Sequence, residues 1–219
     1  MPEHYSASVL GQTKALYDAM KQWAADRGDV SIIGGWAVYE LVTQRHAMQS
    51  RDVDIVLHSE EALQDLNGHI RDWNLAWRVK GRKRFPDAHF RDEDPLVFRL
   101  DAFTTKPNPT WDRLFGRHGA GNTKSCPKTL VPPLEWTICD KLATLHLRRA
   151  KDAEDKRAKD LIDTYNLVFH NQAGANPRTL QEHVPSGARH DAAKWIAEAT
   201  ATRPEYEQQL KTLHEWLKD

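Results

Sequence analysis

The sequence predicts an α/β (α+β) fold, in which a small mixed sheet flanked by helices is followed by a C-terminal helical bundle. In the first part of the chain, short apolar stretches of strand length alternate with longer amphipathic segments, which is typical of a sheet covered by helices. After Pro132 and Pro133, the apolar residues recur only at helical spacing. We therefore predict two domains, a sheet-containing domain at residues 1–131 and a helical domain at residues 132–219.

The elements of the first domain are predicted from its apolar pattern and from the residues that end each segment. Gly28 ends the first helix, the turn Gly34-Gly35 ends the first strand, and Ser59 is a good N-cap for a later helix. In chain order we predict a helix at 10–27, a strand at 30–33, a helix at 36–42, a strand at 52–57, a helix at 59–72, and strands at 76–79, within 89–91 and at 96–103.

The rest of the chain is predicted to be mainly helical. Lys106-Pro-Asn-Pro-Thr interrupts the pattern, and Gly174 and Pro177 mark a later loop. In chain order we predict one helical turn at 111–115, an edge strand at 128–131, and helices at 134–149, 153–170, 179–183, 188–199 and 204–218.

Three acidic residues, Asp52, Asp54 and Asp101, lie within apolar strands. Alternate residues of a strand face the same side, so Asp52 and Asp54 project together while Val53 turns into the core. Two or three carboxylates on one face suit Mg²⁺, and two such ions about 3.5–4 Å apart can clamp both reacting oxygens of a phosphoryl transfer. The pattern predicts a two-metal site with all three aspartates as ligands. The alternative is a set of strand ends that carry solvated acids.

The turn Gly34-Gly35 precedes a predicted helix. Glycine has no Cβ, so the backbone can approach a triphosphate closely, and the first amides of the helix can face its charge. We predict nucleotide binding by Gly34 and Gly35, with Ser50 as a further phosphate contact. An ordinary tight turn remains the alternative for the glycines, and a lead into the strand remains the alternative for Ser50.

Composition limits the classes of function. Lys plus Arg and Asp plus Glu number 31 each, so the formal net charge is zero, yet residues 78–84 and 141–159 are locally basic. The two cysteines, Cys126 and Cys139, lack the spacing of a disulfide framework or a zinc site. No apolar run approaches the ~18 residues of a membrane span, and the N-terminus does not resemble a signal peptide. We expect a cytoplasmic protein with no membrane partner.

The order Gly34-Gly35, Asp52-Val53-Asp54 and Asp101 resembles the nucleotidyltransferase superfamily with the polymerase-β-like fold. The second half narrows the resemblance. Lys141-Leu142 on one helix and Lys159-Asp160-Leu161-Ile162-Asp163 on the next resemble the helical region of the AbiEii-type toxins, which include the MenT toxins. The similarity covers roughly residues 30 to 170.

The resemblance implies that the chain is an enzyme that transfers a nucleoside monophosphate from an NTP to an acceptor hydroxyl and releases pyrophosphate. It also implies two Mg²⁺ ions held by the three aspartates, with Asp101 as the base. Lys141 would contact the triphosphate, and Asp160 would orient that lysine. The implied acceptor is RNA, at the 3′ end of tRNA, and the implied protein partner is an antitoxin.

Alternatives remain open at this stage. Lys141 and Asp160 could instead belong to a solvated charged helix face. The acceptor could be a small molecule, as in antibiotic nucleotidyltransferases, and the zero net charge favours this alternative because RNA enzymes are often basic. A third alternative is a non-catalytic nucleotide-binding or antitoxin-contacting module, which the three intact acids oppose.

Overall fold

A computed structural model describes residues 7–42, 52–73, 75–80, 83–88, 98–104, 126–147, 154–171, 178, 186–202 and 204–217. In chain order its elements are α1 (Ala7–Arg27), β1 (Val30–Ile33), α2 (Gly34–Leu41), β2 (Asp52–Leu57), α3 (Glu60–Asp72), β3 (Leu75–Lys80), β4 (Lys83–Ala88), β5 (Phe98–Thr104), α4 (Leu134–Leu147), α5 (Glu154–His170), α6 (Ser186–Thr202), a 3-10 turn (Pro204–Tyr206) and α7 (Glu207–Leu217). The predicted fold class, a small mixed sheet flanked by helices, is confirmed, while the C-terminal helical bundle stays a prediction that these helices are compatible with. No helix in the described part of the chain is long and apolar enough to span a membrane.

The five strands in the described part of the chain form one mixed sheet in the order β1-β2-β5-β4-β3. Strands β2 and β5 are parallel, whereas β1–β2, β5–β4 and β4–β3 are antiparallel pairs. The strands that carry the predicted acids are therefore neighbours, although 40 residues (58–97) separate them in sequence.

One face of the sheet is covered by α1 and α3. The strand residues buried on this face alternate with the acidic positions, as expected for a strand with one face turned to the core. The cluster consists of Tyr17, Met20, Trp23, Ala24, Val30, Ile32, Trp36, Val53, Ile55, Leu57, Ala62, Leu66, Leu100 and Ala102. The acidic positions of β2 and β5 consequently lie on the opposite face.

The opposite face is partly covered by the beginning of α4. Trp136 of α4 packs with Ile33 of β1, Val56 of β2 and Cys126, and Phe103 of β5 joins this cluster. These strand residues alternate with the core positions, so they share a face with the acids. The first helix after residue 131 is thus anchored to the acid-bearing side of the sheet.

A second apolar core lies among the helices. Its members come from α2, α4, α5, α6 and α7, so α2 contributes to both cores through its two sides. The buried residues are Val38, Val42, Leu134, Ile138, Cys139, Leu142, Leu161, Tyr165, Leu167, Val168, Ala192, Ile196, Leu210, Leu213, Trp216 and Leu217. Fully burying each Leu, Ile or Val contributes about 1.5–3 kcal/mol, so this packing holds α2 firmly against the helices. The division at residue 131 stays a prediction.

The edge strand predicted at 128–131 is wrong. The segment consists of bends and forms one backbone hydrogen bond with β1, in which Ile32 N–H donates to Leu130 C=O at 2.8 Å. Regular pairing cannot continue because Pro132 and Pro133 have no N–H to donate.

A buried polar network fastens the same segment to β1. The Ser31 hydroxyl donates to the Pro127 carbonyl at 2.9 Å and lies 2.8 Å from Nε2 of His58. Because the hydroxyl has one proton, it accepts a hydrogen bond from the His58 Nε2–H. Burial lowers the pKa of His58 below its usual value, and Lys128 adds to this effect while Asp29 opposes it.

The sequence pattern did not predict β4. Its residues Lys83-Arg-Phe-Pro-Asp-Ala include three charged side chains and a proline, which weaken any strand signal. The strand forms because all six of its residues pair with β3.

The last predicted helix begins as the short 3-10 turn rather than as an α-helix. The elements predicted within 89–91, at 111–115 and at 179–183 lie outside the described residues.

Candidate active site

Strands β2 and β5 bring two carboxylates side by side. Asp54 lies directly opposite Asp101 in the parallel register. Both residues are partly exposed, whereas their chain neighbours Val53 and Leu100 are buried. Adjacent strands are about 4.8 Å apart, so two acidic side chains share one face at one level of the sheet.

The Gly34-Gly35 turn closes on the same carboxylate pair. Ile33 lies opposite Asp54 in the antiparallel pair β1–β2, so Gly34 begins α2 beside that carboxylate. Gly34 has φ +67°, in the left-handed region that favours glycine. A Cβ at this position would overlap Oδ2 of Asp54 and would lie 3.0 Å from its Cγ. The backbone conformation and the lack of space both require glycine here.

The start of α2 presents backbone donors next to these acids. Its N-cap residue, Ile33, provides no side-chain hydrogen bond, and its first turn holds no acidic residue. The first N–H groups of a helix have no intrahelical acceptor, and with the helix dipole they favour an anion. Two carboxylates beside them repel an anion unless a cation lies between. The combination therefore suits a phosphate bound together with a metal ion.

A second charged cluster joins α4 to α5. The Lys141 ammonium donates to Asp163 at 2.6 Å and to Asp160 at 3.1 Å, and the lysine is only 5% exposed. Burial alone would lower the pKa of Lys141, but the two carboxylates, chiefly Asp163, hold it above its usual range. The alternative of a solvated helix charge is therefore wrong for this lysine. Asp163, to which the sequence assigned no role, is its closer partner.

Helix α2 connects the two charged groups. It begins at the carboxylate pair, and Val38 and Val42 further along pack in the same apolar cluster as Leu142 of α4 and Leu161 of α5. These two leucines directly follow Lys141 and Asp160 in sequence. A displacement of α2 would therefore change the packing next to both the carboxylate pair and the lysine cluster.

The family model described as nucleotidyl transferase AbiEii toxin of Type IV toxin–antitoxin systems matches residues 32–215. The chain belongs to the AbiEii family. The match includes Gly34, both carboxylates of the sheet and the buried lysine cluster, so this AbiEii protein is a nucleotidyltransferase enzyme of a toxin–antitoxin family that acts on a nucleoside triphosphate.

This AbiEii protein is also similar to solved structures. An antigenic nucleotidyltransferase-like protein from Paracoccidioides brasiliensis is similar over 92% of this chain and 93% of its own, with 16% identity and a TM-score of 0.56. The antibiotic-resistance factor ANT(2'')-Ia matches 89% of this chain and 95% of its own, with 14% identity and a TM-score of 0.44. No curated protein sequence matches. The similarity to the Paracoccidioides brasiliensis protein concerns the fold alone, because the two sequences are only 16% identical.

The acids of this AbiEii protein fit a divalent metal ion. Asp54 and Asp101 supply oxygen ligands on neighbouring strands, and the backbone of Asp52 lies two residues earlier on the same face of β2. The side chain of Asp52 lies outside the description, and among the described side chains no group of three potential metal ligands is complete. Ser50 also lies outside the described residues. The assignment of all three acids as ligands stays a prediction.

Proposed function

We propose that this enzyme transfers a nucleoside monophosphate from a Mg²⁺-bound NTP to the 3′ hydroxyl of an RNA, with tRNA as the acceptor. The observation that carries the proposal is the contact of the glycine turn with the acid pair. Gly34 places the start of α2 against Asp54, and Asp54 lies opposite Asp101. The backbone N–H donors for a triphosphate and the carboxylate ligands for its metal ions thereby lie side by side.

The transfer is a substitution at phosphorus. The acceptor hydroxyl attacks the α-phosphate, a new P–O bond forms, the bond to the β-phosphate oxygen breaks, and pyrophosphate leaves. Asp52, Asp54 and Asp101 would hold two Mg²⁺ ions, which when bound would neutralise phosphate charge and lower the pKa of the hydroxyl. Asp101 receives the hydroxyl proton. The protein contributes positioning and charge rather than covalent chemistry.

The nucleotide is held by the turn and by the helical part. Gly34, Gly35 and Ser50 bind the triphosphate, and Lys141 stabilises the charge that develops as pyrophosphate leaves. An ammonium carries three N–H donors. Asp160 and Asp163 use two of them, fix the position of the lysine and leave a third for phosphate.

The match to a toxin–antitoxin family supports the proposed acceptor and the proposed partner. Adding nucleotides to the 3′ end of tRNA would stop translation, which is how a nucleotidyltransferase can act as a toxin. An antitoxin protein is the proposed partner, and tRNA as acceptor places the activity in the cytoplasm. The locally basic segments at 78–84 and 141–159 provide charges that can contact RNA phosphates despite the zero net charge.

Incubation with each α-phosphate-labelled NTP, Mg²⁺ and total RNA, followed by gel separation, tests the proposal. We expect label in the tRNA band, with loss of labelling in an Asp54→Asn variant. Zero net charge favours a small-molecule acceptor instead. Label in no macromolecule, together with pyrophosphate release in the presence of aminoglycosides or lincosamides, would establish that alternative and contradict ours.

A further inference from the structure

Tyr17 of α1 contacts two residues of α2 that lie one turn apart. Its buried ring stacks on the indole of Trp36, with ring centroids 3.8 Å apart and an interplanar angle of 11°. Its hydroxyl donates to Oε1 of Glu40 at 2.9 Å. Because residues four apart lie on one face of a helix, a single side chain of α1 holds two successive turns of α2.

Glu40 is held by both of its carboxylate oxygens. The ammonium of Lys21, one turn after Tyr17 on α1, lies 2.8 Å from Oε2 of Glu40, whose side chain is only 15% exposed. A carboxylate that is removed from water needs such partners. Burial, together with the Glu40 carboxylate, raises the pKa of Tyr17 above its usual range, so the tyrosine hydroxyl stays protonated and donates.

Trp36 depends on ring contacts for its position. The indole is buried, and in the described part of the chain its N–H has no hydrogen-bond partner. Tyr39 meets the indole edge-on at 5.7 Å, but Tyr39 belongs to α2 itself. The flat stack on Tyr17 is therefore the aromatic contact that ties Trp36 to another helix.

These contacts lie close to the glycine turn. Trp36 is two residues after Gly34, which corresponds to about 3 Å along the helix axis. A Cβ added to Gly34 would overlap the Asp54 carboxylate, so the turn and the acid have little room to move toward each other. A small rotation of α2 would press the turn into Asp54 or carry its N–H groups away from a bound phosphate.

Helix α2 has little of its own to fix its orientation. It has eight residues, begins with two glycines, and its N-cap residue Ile33 makes no side-chain hydrogen bond. Isolated helices shorter than about 12 residues are marginal in water, and glycine weakens them further. The apolar contacts of Val38 and Val42 with the helical core are not directional. The hydrogen bond from Tyr17 to Glu40 is directional, so together with the stack it sets the rotation of α2.

We propose that Tyr17 is a positioning residue for nucleotide transfer, which holds the start of α2 at the distance from Asp54 that a bound triphosphate requires. Tyr17 belongs to the apolar core on the other face of the sheet from the acids, so it acts through α2 and not by contact with the substrate. The inference rests on the proposed function. It also goes beyond the family match, because Tyr17 precedes the matched residues 32–215.

Trp23 provides a matched control, because it lies on the same helix, is also buried and also donates a hydrogen bond to a carboxylate. Its Nε1–H donates to Asp65 of α3 at 2.8 Å, so it ties α1 to α3 and not to α2. We would measure the free energy of unfolding, the affinity for each Mg·NTP and the single-turnover transfer rate at saturating NTP. The proteins compared are wild type, Tyr17→Phe, Tyr17→Leu and Trp23→Phe.

Tyr17→Phe keeps the stack and loses the hydrogen bond to Glu40, whereas Tyr17→Leu loses both. A misplacement of about 1 Å can cost about 100-fold in rate, so Tyr17→Leu should lower the rate and the NTP affinity at least about tenfold. Tyr17→Phe should lower both about threefold, as expected for one hydrogen bond, and it decides the test if Tyr17→Leu does not fold. Trp23→Phe should be destabilised but should match wild type in rate and NTP affinity.

The NTP affinity separates this inference from the proposed function. If wild type labels tRNA and the folded Tyr17 variants match it in rate and NTP affinity, the positioning role is wrong while the function stands. If wild type binds NTP but labels no RNA, the proposed acceptor is wrong. In that case, weaker NTP binding by the Tyr17 variants than by Trp23→Phe still supports the positioning role, and equal binding contradicts it.

Discussion

Gly34 and Asp54 are packed so closely that no side chain fits between them. A Cβ on Gly34 would overlap the Asp54 carboxylate, and the residue has φ +67°. The glycine turn therefore fixes the distance between the start of α2 and the acid. A substitution here should damage catalysis before it damages the fold.

We predict that Gly34→Ala loses nucleotide transfer, because the methyl group must displace the Asp54 carboxylate and the left-handed backbone adds about 1 kcal/mol of strain. Gly28→Ala is the matched control, since Gly28 has φ +70° but nothing within 4 Å of its added Cβ. Gly28→Ala should lose only the roughly 1 kcal/mol of backbone strain and keep full activity. Chemical denaturation gives the stability of both variants, and transfer kinetics give their activity. Equal activity in the two variants would contradict a role for the close contact.

The buried lysine gives a second prediction. Lys141→Met removes the ammonium that pairs with the buried carboxylates of Asp160 and Asp163, so we expect a loss of about 3–5 kcal/mol in the free energy of unfolding. The variant in which both aspartates are also changed to Asn should regain most of that stability. If Lys141 also stabilises the leaving pyrophosphate, this triple variant will fold but transfer slowly. If the folded triple variant transfers nucleotide at the wild-type rate, the role of the cluster is purely structural.

A pH dependence is expected from His58. Its pKa in the folded protein is lowered by burial, so below the unfolded value of about 6.5 the unfolded chain binds more protons than the folded one. Stability should therefore fall as the pH decreases from about 6.5 toward the folded pKa. The free energy of unfolding measured across this window should vary less in His58→Gln than in wild type. An identical pH dependence in both proteins would show that His58 does not titrate abnormally.

The local parts of the fold could be predicted from the sequence because their signals are local. Strands β1 and β2 have the predicted bounds, since each is a short apolar run with a clear end. Strand β4 could not be predicted, because its charges and Pro86 are tolerated only through pairing with β3. The sequence suggested that the acids lie on strands, but their register depends on the order of the strands, which is set by contacts between distant segments.

The lysine cluster shows a similar limit. The helical spacing placed Asp160 and Asp163 as neighbours on one helix, and the resemblance singled out Lys141. Only the packing of α4 against α5 shows that Asp163 is the closer partner of the lysine. A helix periodicity fixes which residues share a face, but not which face meets which neighbour.

Nucleotide transfer by Asp54→Asn and Asp101→Asn in a single-turnover assay tests the assignment of the active site most directly. Asp72→Asn is the control, because this carboxylate is 74% exposed at the end of α3 on the other side of the sheet. We expect Asp72→Asn to react like wild type. Asp54→Asn and Asp101→Asn should stay folded and be inactive, with Asp101→Asn still able to bind Mg·NTP. Retention by either variant of more than about a tenth of the wild-type rate, a loss of only about 1.4 kcal/mol, would contradict the assignment.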